Sequence, residues 1–147
     1  MLREFRKPAL LSTINAQLST YFLIGLGGAL GSIARFWLGG LIGGHRIGQT
    51  FPTGTLVVNV TGSFVIGFIA ALSTTEGRFY LSPMARQFLM IGVCGGYTTF
   101  SSFSLQTLDL TRDGQWLYAG ANVMLSVALC LVAVWLGHIC AEALNRS

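Results

Sequence analysis

The sequence predicts an all-α membrane protein with four transmembrane helices, the third of them broken near its middle. Three observations carry that prediction. The chain of 147 residues is 52% hydrophobic and only 10% charged, whereas soluble domains carry about 25% charged residues, and its mean hydropathy is +0.65. Four long segments, residues 21–42, 51–75, 87–108 and 115–141, hold no fixed charge apart from Arg35 in the first. Each reaches the ~20 apolar residues that a spanning helix needs, and none shows the polar face of a soluble bundle helix. Finally, the third segment contains GGYTTFSSFS (residues 95–104), in which two glycines precede a run of hydroxyl side chains interleaved with Phe100 and Phe103.

The first element, residues 1–20, carries Arg3, Arg6 and Lys7. Its short apolar run is interrupted by Ser12, Thr13, Asn15 and Gln17, so it reads as a disordered or interfacial basic extension in preference to a cleaved signal peptide. Residues 21–144 form the membrane domain. Its loops are short, at about residues 43–50, 76–83 and 110–114. Without the extension, one side holds Arg78, Arg86 and Arg146 and the other Arg46 and Arg112. That bias is weak under the positive-inside rule and is compatible with insertion in both orientations.

In the first span, Gly27/Gly31 and Gly39/Gly43 follow the small-xxx-small spacing that lets membrane helices approach closely, as Gly92/Gly96 do in the third. Packing accounts for these glycines apart from Gly95 and Gly96, which are assigned to the break. Arg35 costs about 2.5–3.5 kcal/mol if placed at the bilayer centre. It either snorkels to a water-filled vestibule, where it attracts anions, or pairs structurally with backbone carbonyls.

Phe51-Pro52 opens the second span, at a helix start where the missing N–H of proline costs little. Thr55, Asn59 and Ser63 then recur at i, i+4 and i+8 on one helix face. An unpaired Asn59 amide in hydrocarbon costs ~2–7 kcal/mol, so the side chain has a partner, either another helix or a solute. The fourth span repeats the spacing with Tyr118, Asn122 and Ser126 before it reverts to LCLVAVWL and approaches the interface at Trp135 and His138.

In the third span, helical spacing puts Phe100, Phe103 and Thr107 on one face and Thr98, Ser102 and Gln106 on the other. The phenylalanine pair is either core packing or a pair of ring edges, which carry partial positive charge. Around residues 95–99 the break frees carbonyls that need partners within the membrane. Such carbonyls from two subunits suit a monovalent cation such as sodium, because no carboxylate is nearby for a divalent one. Four helices rich in small residues are too few to enclose a pathway, which points to a homodimer.

Taken together, GLGGALGSIARFWLGG (25–40), FPTGTLVVNVTGSFVIG (51–67), GGYTTFSSFS (95–104) and YAGANVMLS (118–126) resemble the Fluc (CrcB) family of fluoride channels. The resemblance implies an antiparallel, dual-topology homodimer in the bacterial inner membrane. It further implies two fluoride pathways and a structural sodium ion at the dimer interface. By position, Asn59 resembles the family's pore asparagine, and Phe100 and Phe103 its phenylalanine pair. Thr55, Ser102, Tyr118, Asn122 and Ser126 resemble its polar track. Gly95 and Thr98 match the residues whose backbone carbonyls hold sodium, and Arg35 matches the first-span arginine of the vestibule. Gln106 departs from the pattern, standing where many members have Glu, a difference that bears on the charge of the pore entrance. The extension at residues 1–20 is longer than the family core requires.

The expectation is therefore a passive channel that exports cytoplasmic fluoride and is not an enzyme, with fluoride, membrane lipid and a second copy as partners. The basic residues are too scattered for nucleic acid. The main alternative, a small proton-coupled multidrug transporter, needs a membrane-embedded carboxylate. Glu4, Glu76, Asp109, Asp113 and Glu142 all fall at span ends or in loops. A non-transporting assembly subunit leaves the polar stripes unexplained. An intramembrane enzyme lacks a His/Cys/carboxylate cluster within the spans.

Overall fold

The computed structural model describes residues 6–43, 51–73 and 81–146. Every regular element in it is helical. Helix α1 spans Arg6–Gly43 and α2 spans Thr53–Leu72. The third span is assembled from α3 (Pro83–Gln87), a π-helical stretch (Phe88–Cys94), α4 (Gly95–Tyr97) and α5 (Phe100–Arg112). Helix α6 runs from Trp116 to Arg146. By length and composition, Ile14–Gly43, Thr53–Leu72, Pro83–Arg112 and Trp116–Arg146 are each able to cross a membrane, which makes this a multi-pass membrane protein.

Glycine sets how the spans meet. A β-carbon at Gly27 would lie 2.8 Å from the Phe88 carbonyl oxygen and 3.1 Å from the Gly92 Cα. One turn further along, a β-carbon at Gly31 would strike the Val93 carbonyl and the Tyr97 nitrogen, and one at Gly96 would strike the backbone of Gly28. Helix α1 and the third span therefore run side by side in one direction with their backbones nearly touching. Gly96, assigned above to the break, is a packing glycine as well. On the other side of the molecule, Gly67 abuts Val134 and Gly137 abuts Phe64, so α2 and α6 meet backbone to backbone in the most extensive helix contact of the fold.

The interior is small. Val58, Ala71, Cys94, Phe103, Leu110, Ala119, Ala133 and Ala141 are its buried apolar residues, while Phe36 and Leu117 are each 84% exposed. Large apolar side chains on the outside are what a lipid-facing surface requires. Buried small residues allow the backbone approach that drives packing when the surrounding solvent is itself apolar.

Two expectations shift. Helix α1 is 38 residues long and starts at Arg6, so residues 6–20, expected as a disordered or interfacial extension, continue the first span as helix. Near the end of that stretch, Ser19 donates to the Asn15 carbonyl at 2.9 Å and Thr20 to the Ala16 carbonyl at 3.0 Å. Residues 1–5 lie outside the described residues. In the third span, Gly95 remains helical (φ −65°, ψ −38°) and extended backbone appears instead at Thr98 (φ −80°, ψ 157°) and Thr99 (φ −151°, ψ 110°). β-Branched residues favour extended backbone, and Thr99 is also fixed there as the cap of α5. Its Oγ1 accepts the Ser102 N–H at 3.2 Å.

Candidate functional site

The two extended residues leave backbone groups without helical partners, and the side chain of Asn59 takes both of those on Thr99. The Thr99 N–H donates to Asn59 Oδ1 at 2.8 Å, and Asn59 Nδ2 donates to the Thr99 carbonyl at 3.1 Å. The side-chain amide thus stands in for a neighbouring peptide. In an uninterrupted α-helix the Thr99 N–H would go to the Gly95 carbonyl, so this pairing releases Gly95. Thr98 is held differently, its N–H and Oγ1 both donating to the Cys94 carbonyl at 2.9 Å. Thr99 Oγ1 in turn donates to the Ser102 hydroxyl oxygen at 3.0 Å, and Ser32 donates to the Gly96 carbonyl at 3.4 Å. On the outer side of α4, Thr61 gives its proton to the Val57 carbonyl at 2.8 Å. The Tyr97 hydroxyl, 2.8 Å from Thr61 Oγ1, is therefore the donor of that pair.

A cleft of about 990 Å³ opens beside this joint, between α1, the start of α2 and α5. It brings together Arg35, Thr55, Thr99, Ser102 and Gln106. The two residues expected in a vestibule, Arg35 and Gln106, thus share one cavity with two members of the expected polar track. Among the described residues Arg35 is the only basic one lining it, with Asp109 and Asp113 along its wall. Gln106 Oε1 is buried without a hydrogen-bond partner. The Thr55–Asn59–Ser63 stripe divides: Thr55 faces the cleft, Asn59 turns to Thr99, and Ser63 does not line the cleft.

The second polar group lies between α5 and α6. Asn122 is 1% exposed, and its Nδ2 donates to Thr107 Oγ1 at 2.8 Å. Thr107 in turn donates to the Phe103 carbonyl at 2.8 Å, and the Ser126 hydroxyl approaches Asn122 Oδ1 at 3.5 Å. Tyr118, the third member of that stripe, stands apart; it is half exposed, with its ring 6.4 Å from that of Phe51. Phe100 and Phe103 lie 5.3 Å apart between ring centroids at an interplanar angle of 48°, but their surroundings differ. Phe103 is 8% exposed and Phe100 is 77% exposed. His138, expected at the interface, pairs with Glu142 at 3.2 Å on the exposed end of α6.

The structure also assigns parts to two residues that the sequence did not single out as site residues. Thr99 both caps α5 and receives Asn59. The signal for it was a threonine three residues ahead of Ser102 at a helix start. Thr107 was placed correctly on the Phe103 face, but its bond to Asn122 joins residues 15 apart on different helices and left no trace in the spacing.

Four membrane-crossing helices that sequester amides and hydroxyls around an interrupted span define a small polytopic membrane protein with a polar interior. A family profile described as CrcB-like protein, Camphor Resistance (CrcB), matches residues 22–138, and the chain belongs to that family. It is 62% identical over 128 residues to the fluoride-specific ion channel FluC of Opitutus terrae, covering 87% of this chain and 96% of the relative. It is 60% identical over 127 residues to FluC of Rhodospirillum rubrum, covering 86% and 98%. With FluC 1 of Rhodopseudomonas palustris it shares 49% identity over 136 residues, covering 92% and 96%. The first 21 residues lie outside the family match.

Proposed function

We infer that this chain is a fluoride channel of the bacterial cell membrane, passing the ion by passive diffusion so that cytoplasmic fluoride leaves the cell. It is a pore and not an enzyme. The observation that carries this reading is the Thr98–Thr99 joint, locked by Asn59 and set beside a hydroxyl-lined cleft that holds Arg35. Fluoride is small and strongly hydrated, so a pathway must replace water with close donors. Ser102, Thr55, Asn122 and Ser126 supply hydroxyl and amide protons, and the ring edges of Phe100 and Phe103 add partial positive charge. The identity with relatives named fluoride-specific channels supports fluoride as the ion.

The working unit is an antiparallel homodimer with two pathways. A ring 77% exposed on a single chain and directly attached to the joint is well placed to be covered by a second copy. Gly95 is likewise exposed on the single chain, and its carbonyl has lost the Thr99 N–H. The carbonyls of Gly95 and Thr98, repeated across the dimer axis, fit a structural sodium ion; among the described residues no carboxylate stands beside them to favour a divalent one. A proton-coupled drug exporter receives no support, since Asp109 and Asp113 lie at the end of α5 and Glu142 is engaged by His138 and Arg146. Glu76 lies outside the described residues.

Growth in fluoride tests this reading. In bacteria deprived of their own fluoride exporter, the chain restores growth in millimolar-range fluoride and gives no resistance to cationic dyes. Phe100→Ile keeps similar bulk at an exposed position, so it should leave expression unchanged while weakening the rescue. Equal rescue by Phe100→Ile would remove the ring edge from the account, and dye resistance without fluoride resistance would replace the function.

A further inference from the structure

The Thr107–Asn122–Ser126 group has a direction that follows from counting protons. A threonine hydroxyl has one proton, and Thr107 gives it to the Phe103 carbonyl at 2.8 Å. Its oxygen is thereby left only to accept. The group facing it at 2.8 Å must then be the N–H side of the Asn122 amide, so the amide oxygen turns toward Ser126. Asn122 is 1% exposed and Ser126 is 7% exposed, so water does not compete for these bonds. Across the group the bonds differ in strength. The two bonds at Thr107 are short, whereas the Ser126 contact at 3.5 Å is at the limit of a hydrogen bond.

We propose that Thr107 is a positioning residue of the fluoride pathway, fixing the orientation of the Asn122 amide so that Asn122 N–H and the loosely held Ser126 O–H remain available as donors to the anion. The inference rests on the reading of Asn122 and Ser126 as pathway residues. With Thr107 removed, nothing on the α5 side distinguishes the two ends of the amide, and half of its rotations present an oxygen lone pair where the anion needs a proton. Phe103 is coupled to the same group, since its carbonyl anchors the Thr107 proton.

Fluoride efflux from proteoliposomes containing purified full-length protein tests the proposal with four variants. Thr107→Val, which keeps the shape and loses the hydroxyl, is expected to lower flux roughly tenfold, the scale of one lost partner for a buried polar group. Thr107→Ser restores the hydroxyl and should return flux to within about twofold of the parent. Asn122→Ala lowers flux, and adding Thr107→Val to it lowers flux no further, because the two act as one unit. A purely structural Thr107 would show additive losses and equal failure of Val and Ser. Thr107→Ala replaces Thr107→Val if the valine protein does not elute as a single species. Parental flux in Thr107→Val, failure of Thr107→Ser, or additivity with Asn122→Ala overturns the proposal while leaving the channel assignment intact. Absence of fluoride flux in the parent overturns both.

Discussion

Asn59→Leu is expected to abolish fluoride flux while leaving the oligomeric state of the parent unchanged. The substitution removes the acceptor of the Thr99 N–H and the donor to the Thr99 carbonyl together. Thr99 is 7% exposed, so water does not replace either bond. Two orphaned backbone groups at ~1–3 kcal/mol each amount to several kcal/mol concentrated at the joint. The local response is for Thr99 to seek the helical bond to Gly95, which would straighten the span and carry Ser102 and Phe103 out of place. Global assembly does not depend on this contact. The α2–α6 seam at Gly67 and Gly137 and the α1 seam at Gly27, Gly31 and Gly96 involve other residues. Size-exclusion chromatography with light scattering, run beside the flux assay, checks both halves. Parental flux from Asn59→Leu would mean that the joint plays no part in conduction.

The largest stability effect is expected at Gly31. Its β-carbon would strike the Val93 carbonyl and lie 2.8 Å from the Tyr97 nitrogen. Both are backbone atoms of the third span, so rotamer changes cannot relieve the contact and the helices must move apart. Overpacking of this kind costs ~1–3 kcal/mol, occasionally more, in Gly31→Ala. Gly25→Ala is the matched control on the same helix, where nothing lies within 4 Å of the new carbon. There the gain in helix propensity, roughly 0.5–1 kcal/mol, is unopposed within the chain. Thermal unfolding in detergent should therefore place Gly31→Ala below the parent and Gly25→Ala level with it or above. Tyr97 directly precedes the Thr98–Thr99 joint, so Gly31→Ala should also reduce flux. Equal stability of the two variants would contradict the close approach of α1 to the third span.

Much of this was legible in the sequence, for identifiable reasons. Membrane spans are read from runs of apolar residues without charges, and that signal is local. The small-xxx-small glycines likewise encode close approach in their spacing, and Gly27, Gly31 and Gly92 serve it. The interruption of the third span was legible in kind but displaced by a few residues. Gly95 and Gly96 suggest a break by propensity, yet a membrane helix keeps glycine helical where a neighbouring backbone must come close, and Gly96 meets Gly28. Extended backbone settled where a threonine caps the next helix and an asparagine from another span takes the freed peptide.

Partners were the illegible part. That Asn59 had to be satisfied followed from its burial cost. That Thr99, 40 residues away, satisfies it is a tertiary fact. The i, i+4, i+8 stripes also implied that three residues share one environment. In the fold Thr55 and Asn59 face different partners, and Tyr118 separates from Asn122 and Ser126, because neighbouring helices cross each stripe at one level only. Residues 6–20 continue α1 as helix, where Ser19 and Thr20 bond back to the helix's own carbonyls, a local satisfaction that the apolar pattern does not encode.

Fluoride efflux from proteoliposomes containing the purified chain, followed with a fluoride electrode beside a chloride-loaded control, tests the central claim most directly. The account predicts rapid fluoride release on collapse of the potassium gradient and chloride release no faster than in protein-free vesicles. Fluoride release at the protein-free rate, or chloride release as fast as fluoride, would contradict it.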